Sequence, residues 1–147
     1  EGTNKWITTA YTKSELLEKA YGRLKTPVDR ILYVKGTAQI EHPIASGIRA
    51  LARQSMIGVN DQDGAIAISK KEAAKIPAED ICTKQYFEDF GGAVIEVWSY
   101  DPIILERDGC VDDISLLLSM DNDPNERVQT CLDEIRQKHG LPIKEEE

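Results

Sequence analysis

Gly91-Gly92-Ala93-Val94-Ile95-Glu96-Val97-Trp98-Ser99-Tyr100-Asp101-Pro102 is the stretch that decides the fold. Between the glycine pair and Asp101-Pro102, β-branched and aromatic side chains dominate, so Ala93 to Tyr100 reads as the strongest strand of the chain. Its apolar content predicts a central place in a sheet. Period-two alternation puts Glu96, Trp98 and Tyr100 on one face and Ile95 and Val97 on the other. A carboxylate on such a strand has two readings. If both faces are covered it is paired with a cation, Arg30 or Arg49, or hydrogen-bonded; otherwise its face is half exposed to water.

Working outward, Asp101 is expected to cap a short helix that starts at Pro102 and ends at Gly109. Ile114 to Met120 fits helix or strand by periodicity, and Asp112 and Asp113 tip it to helix by supplying an N-cap. Asp123-Pro124 opens the clearest helix, Pro124 to Lys138, with Val128, Cys131, Leu132 and Ile135 at i, i+3, i+4 and i+7. That stripe predicts a helix docked on the sheet.

Towards the start, Thr12-Lys13-Ser14-Glu15 is a capping box for a helix that stops at Thr26-Pro27. Arg30 to Lys35 reads as a strand closed by Gly36. Ile44, Gly47, Ile48, Leu51 and Ala52 predict a helix from Pro43 to Gln54. Asn60 to Gly64 is turn chemistry, and Ala65 to Ile68 is a short strand. Ser69-Lys70-Lys71-Glu72 is a second capping box, starting a short helix ended by Pro77. The alternation predicts a single α/β or α+β domain over residues 1–143, with a three- to five-stranded mixed sheet and four to six helices. The tail, 144–147, reads as a disordered acidic end.

The length of 147 residues fits one domain. With 41% hydrophobic and 30% charged residues, wholesale disorder is excluded. No apolar run approaches the roughly 18–20 residues of a membrane span, so no membrane partner is expected. The net charge of −8 makes direct nucleic-acid binding by this segment unfavourable. Cys82, Cys110 and Cys131 form no C-x-x-C pair, and three free thiols point to a reducing, cytoplasmic setting. Glu1-Gly2-Thr3-Asn4-Lys5, without an initiating Met, reads as a cut inside a longer polypeptide.

No catalytic set assembles from spacing. Glu96 is followed by Val97-Trp98 where a metal-dependent nuclease wants a nearby lysine. Asp121-Asn122-Asp123-Pro124-Asn125 lacks the mid-loop Gly and the closing Glu of a calcium loop, and Pro124 fits a helix start. His42, His139 and the cysteines follow no zinc spacing, so neither a metal nor a cofactor is implied. Cys131 lies on an apolar stripe and reads as core. Arg49 and Arg53, and Lys70, Lys71 and Lys75, read as solvated helix faces that can touch an anion. The candidate ligand- or partner-binding residues are Arg49, Glu96, Trp98, Tyr100 and Asp101. A small hydrolase or nuclease using Glu96 and Asp101 is the rival class.

Several blocks resemble one known region. Glu96 to Pro102, Asp108-Gly109-Cys110-Val111-Asp112, Ile114 to Ser119 and Asn125-Glu126-Arg127-Val128-Gln129 are similar to the C-terminal region of some bacterial proteins. Pro43 to Ile57, with Ala50-Leu51-Ala52-Arg53, looks like an earlier block of it. Those proteins carry a winged helix-turn-helix of the MarR type ahead of this region. The blocks touch about half of the chain, and none is a catalytic motif. The resemblance implies an effector domain of a transcriptional regulator, serving ligand sensing, partner binding or homodimerisation, with its DNA-reading domain upstream of Glu1. The same architecture occurs in antitoxin-like regulators of phage-defence operons, which keeps a protein-interaction module open. It assigns no functional residues.

Overall fold

The computed structural model describes residues 24–36, 38–55 and 64–143. The helix expected from Thr12, most of the turn from Asn60 and the tail 144–147 lie outside the described residues. Five strands form one mixed sheet: β1 (Val28–Val34), β2 (Ile44–Ser46), β3 (Ala65–Ser69), β4 (Ile81–Cys82) and β5 (Ala93–Trp98). Their order is β2-β3-β5-β1-β4. β5 runs parallel to β3 and antiparallel to β1, so the strand read as central is central. β2 and β4 form the antiparallel edges.

The helices among the described residues are α1 (Gly47–Ala52), α2 (Lys70–Ala73), α3 (Lys84–Phe90), α4 (Asp113–Met120) and α5 (Glu126–Lys138). The fold is therefore a single α+β domain. None of the described helices is long and apolar enough to cross a membrane. Three caps act where the sequence places them. Ser69 accepts from Glu72 N–H, Asp101 from Ile103 N–H and Asp112 from Ser115 N–H.

Four expectations change. The helix expected from Pro43 begins only at Gly47, because Ile44–Ser46 is spent in the sheet, paired with Ala65–Ala67. The apolar stripe reads the same either way, since all three residues are buried. Gly47, at φ +59°, then turns the chain from strand into helix. The helix after Asp101 is a 3₁₀ turn over Pro102–Leu105 and stops short of Gly109. The last helix starts at Glu126, where the Asn125 side chain accepts from both Arg127 N–H and Val128 N–H. Helix α3 has no counterpart in the sequence reading. None of its side chains is buried, so it shows no stripe, and only its Thr83 cap marks it.

The two faces of β5 feed two clusters. Trp98, Ala67 and Ile44 pack with Leu51 of α1, Leu116 and Leu117 of α4, and Val128, Leu132 and Ile135 of α5. Cys131 lies against this cluster, and the last helix is docked as its stripe predicts. Ile95 and Val97 face the other way, onto Val34, Ile68 and Ala73. Gly92 lets β5 begin flush with the end of β1. A Cβ there would stand 2.1 Å from the Val34 carbonyl oxygen, at a φ of +137°.

One buried ion pair ties the last two helices together. Arg136, 3% exposed, bonds Asp133 at 2.7 Å on its own helix and Asp121 at 3.1 Å just beyond α4. A polar network fixes the α4–α5 junction.

Candidate functional site

Strand register builds the site. Ser46 pairs with Ala65 on β3, and Ala67 on β3 pairs with Glu96 on β5, all on one face of the sheet. The two β3 residues between them carry only methyl groups, so the longer side chains of the flanking strands meet over β3. There the Ser46 hydroxyl donates to Oε1 of Glu96. The Trp98 indole N–H donates to the same oxygen at 3.0 Å. Ser46 holds the N-cap position of α1 and yet makes no capping bond, because its hydroxyl is committed to Glu96.

Glu96 is 9% exposed. Of the readings from sequence, the structure has the hydrogen-bonded one, without the expected cation. Its face is covered by α1, α4 and α5, and its hydrogen bonds come from two neutral donors, not from Arg30 or Arg49. Arg30 is exposed on β1, and Arg49 is half-buried on α1. Donors to a charged group contribute about 1.5–3 kcal/mol each, which offsets part of the cost of burying a carboxylate.

The second carboxylate oxygen is different. Oε2 has no hydrogen-bond partner among the described residues, and Glu96 lines a cleft of about 530 Å³. Ala65, Val94 and Glu96 come from the sheet, Gly47 and Ile48 from α1, and Leu118, Ser119 and Met120 from α4, followed by Asn122 and Asp123. A Cβ on Gly47 would sit 3.9 Å from Oε2.

Beyond Glu96 the same face continues. The Trp98 and Tyr100 rings meet edge to face at 5.6 Å and 76°. The Tyr100 hydroxyl lies 2.5 Å from the Ser115 hydroxyl. Burial pushes the Tyr100 phenol up, the Ser115 hydrogen bond opposes this, and the nearby Asp112 charge adds to it, leaving it above 10.0. Asp101 is elsewhere. It is exposed, its Oδ1 accepts from Ile103 N–H at 3.1 Å, and it lines a separate cavity of about 200 Å³ with His42 and Glu72. The structure thus joins Glu96, Trp98 and Tyr100 along one face of the sheet, but of the five candidates Glu96 lines the cleft and Trp98, Tyr100, Arg49 and Asp101 do not. Ser46 and Gly47 are the site residues the sequence reading missed. With β2 read as helix, nothing placed Ser46 opposite Glu96.

A second polar cavity, about 430 Å³, lies where α1 and α5 end, lined among others by Arg53, Arg107, Asp113 and Lys138. Arg53 donates to the Asp108 carbonyl at 3.1 Å. Asp113 accepts from His139 and Gln54, each at 2.9 Å. Lys70 and Lys75 lie beside Asp29 and Glu72. Among the described residues, no group of three His, Cys, Asp or Glu side chains converges as a metal site. The three cysteines are free. Comparison with known proteins finds no matching family model, no matching curated protein and no matching solved structure.

Proposed function

We propose that this domain is a non-catalytic, ligand-sensing module of a bacterial transcriptional regulator, and that the cleft over Glu96 is where the ligand binds. The observation that carries the reading is a carboxylate fixed through one oxygen in the lining of a cleft, with the other oxygen without a donor among the described residues. A cleft of about 530 Å³ falls within the roughly 300–1,000 Å³ of small-molecule sites. The site supplies one held acceptor and apolar walls. A hydrolytic reading would need Asp101 beside Glu96, and the two line different cavities. The MarR-type resemblance supports placing the DNA-reading domain upstream, and the three free thiols support a cytoplasmic setting.

The test is a thermal-shift screen of the chain against small molecules grouped by charge, repeated on Ser119→Trp, which fills the cleft. A ligand at about 100 times its Kd adds roughly 2.7 kcal/mol of stability. At least one group should raise the melting temperature of the wild type and leave Ser119→Trp unchanged. A screen with no stabilising compound, or with equal shifts in both proteins, overturns the reading.

A further inference from the structure

We propose that the cleft takes a ligand bearing a protonated amine, with Glu96 Oε2 as the anchor for its N–H groups; this rests on the ligand-binding reading above. Three independent features select that chemistry. The first is orientation. Ser46 and Trp98 both bond Oε1, so the carboxylate cannot turn freely and presents Oε2 as a fixed acceptor without a donor among the described residues. Oε2 opens onto the cleft, so a ligand N–H can reach it without displacing a protein donor, and a hydrogen bond to a charged acceptor is among the stronger ones.

The second feature is charge. Glu96 and Asp123 are the charged residues lining the cleft, and no Lys, Arg or His lines it among the described residues. In a partly desolvated cleft such a lining attracts cations and repels carboxylates and phosphates. The third is the wall. Ile48, Val94, Leu118 and Met120 offer apolar surface to an aliphatic body behind the cationic head. A bare divalent cation fits this wall poorly, because it needs six or more oxygen ligands for calcium, or an octahedral set for magnesium. An alkylammonium needs one or two aligned acceptors and places its methylenes on the apolar side. Gly47 lines the cleft beside Oε2, where a Cβ would make only van der Waals contact at 3.9 Å.

The experiment uses three probes of one shape: pentylamine, pentanol and pentanoate. Each is titrated into the full chain while backbone amide resonances of Gly47, Ala65 and Leu118 are followed. Pentylamine should shift these amides with an affinity about 10- to 100-fold above that of pentanol, the range of a hydrogen bond to a charged group. Pentanoate should bind more weakly than either. Glu96→Gln keeps an oxygen for Ser46 and Trp98 to bond, and it should abolish the preference for the amine, bringing the pentylamine and pentanol affinities together. If Glu96→Gln loses its folded spectrum, the amine-over-alcohol ratio in the wild type decides alone, because the probes differ only in the head group. Equal binding of amine and alcohol overturns the amine assignment and leaves the ligand cleft standing. No response to any probe overturns both. Calcium chloride moving the same amides at lower concentration than pentylamine assigns the site to a metal cation and also overturns the proposal.

Discussion

The Ser46 hydroxyl reaches over strand β3 to donate to Oε1 of Glu96, joining residues 50 positions apart through a gap that two alanines leave open. This bond and the Trp98 indole N–H are what permit a carboxylate on the central strand.

Ser46→Ala removes one of the two donors and leaves a buried oxygen half-satisfied. The expected loss is about 1–3 kcal/mol in chemical denaturation. A loss under about 0.5 kcal/mol, the usual surface range, would show that water replaces the hydroxyl without cost.

Arg136→Ala should be among the most damaging single changes, at about 3–5 kcal/mol, because it removes the buried cation that Asp133 meets at 2.7 Å. Arg136→Met, which fills the same space, should still lose the tie to Asp121 and with it the α4–α5 junction. Amide exchange at residues 121–125 is the discriminating readout. Unchanged protection there in Arg136→Met would mean that apolar packing and the Gln129 bonds to the Met120, Asp121 and Asp123 carbonyls hold the helices without Arg136.

Leu132, fully buried on α5, tests that packing directly. Leu132→Ala should cost about 2–5 kcal/mol. Gly92→Ala should be as disruptive for a backbone reason, since its Cβ would overlap the Val34 carbonyl oxygen and its φ is +137°. Midpoints of urea unfolding for both variants check these two outcomes, and wild-type midpoints would refute them.

The pH dependence has two limbs. Burial by itself raises the Asp113 carboxyl. The hydrogen bonds from His139 and Gln54, with the charges of Lys138 and His139, outweigh that and hold it below 3.8. A folded pKa below the unfolded one stabilises the protein above the unfolded value, and that stability is lost as pH falls through the folded value. Asp113→Asn should therefore lose less stability than the wild type on acidification below about pH 4. Tyr100 works in the opposite direction. Its raised phenol favours the neutral form, so its contribution is complete below 10.0 and is lost as pH rises through the higher folded value. Tyr100→Phe should flatten the alkaline limb. Parallel acid or alkaline limbs in variant and wild type would reject the assignment of either group.

The chain by itself should not bind duplex DNA. Its 26 acidic residues outnumber its 18 basic ones, and the basic groups Arg53, Arg107 and Lys138 share their cavity with Asp108 and Asp113. Each phosphate contact contributes about 0.9 to the slope of log affinity against log salt, so real binding would be steeply salt-dependent. Fluorescence anisotropy at low salt is the measurement. Micromolar affinity with a steep slope would place the DNA-contacting surface within this domain.

The sequence by itself determined what is local. Alternation over Ala93 to Tyr100 set the central strand and placed Glu96, Trp98 and Tyr100 on one face. Ser69, Asp101 and Asp112 announced their caps, and Val128, Leu132 and Ile135 announced a docked helix, because period and capping act over a few residues. Tertiary structure decided the rest. Whether Ile44–Ser46 is strand or helix depends on β3 lying beside it, since a run buried on all sides has no period to read. Helix α3 buries none of its side chains and so left no stripe. Arg136 looks like any charged helix residue until Asp133 and Asp121 close around it. The partner of Glu96 was illegible for the same reason. A hydroxyl on an edge strand becomes the donor to a central carboxylate only when the register sets Ala65 and Ala67, with their short side chains, between the two.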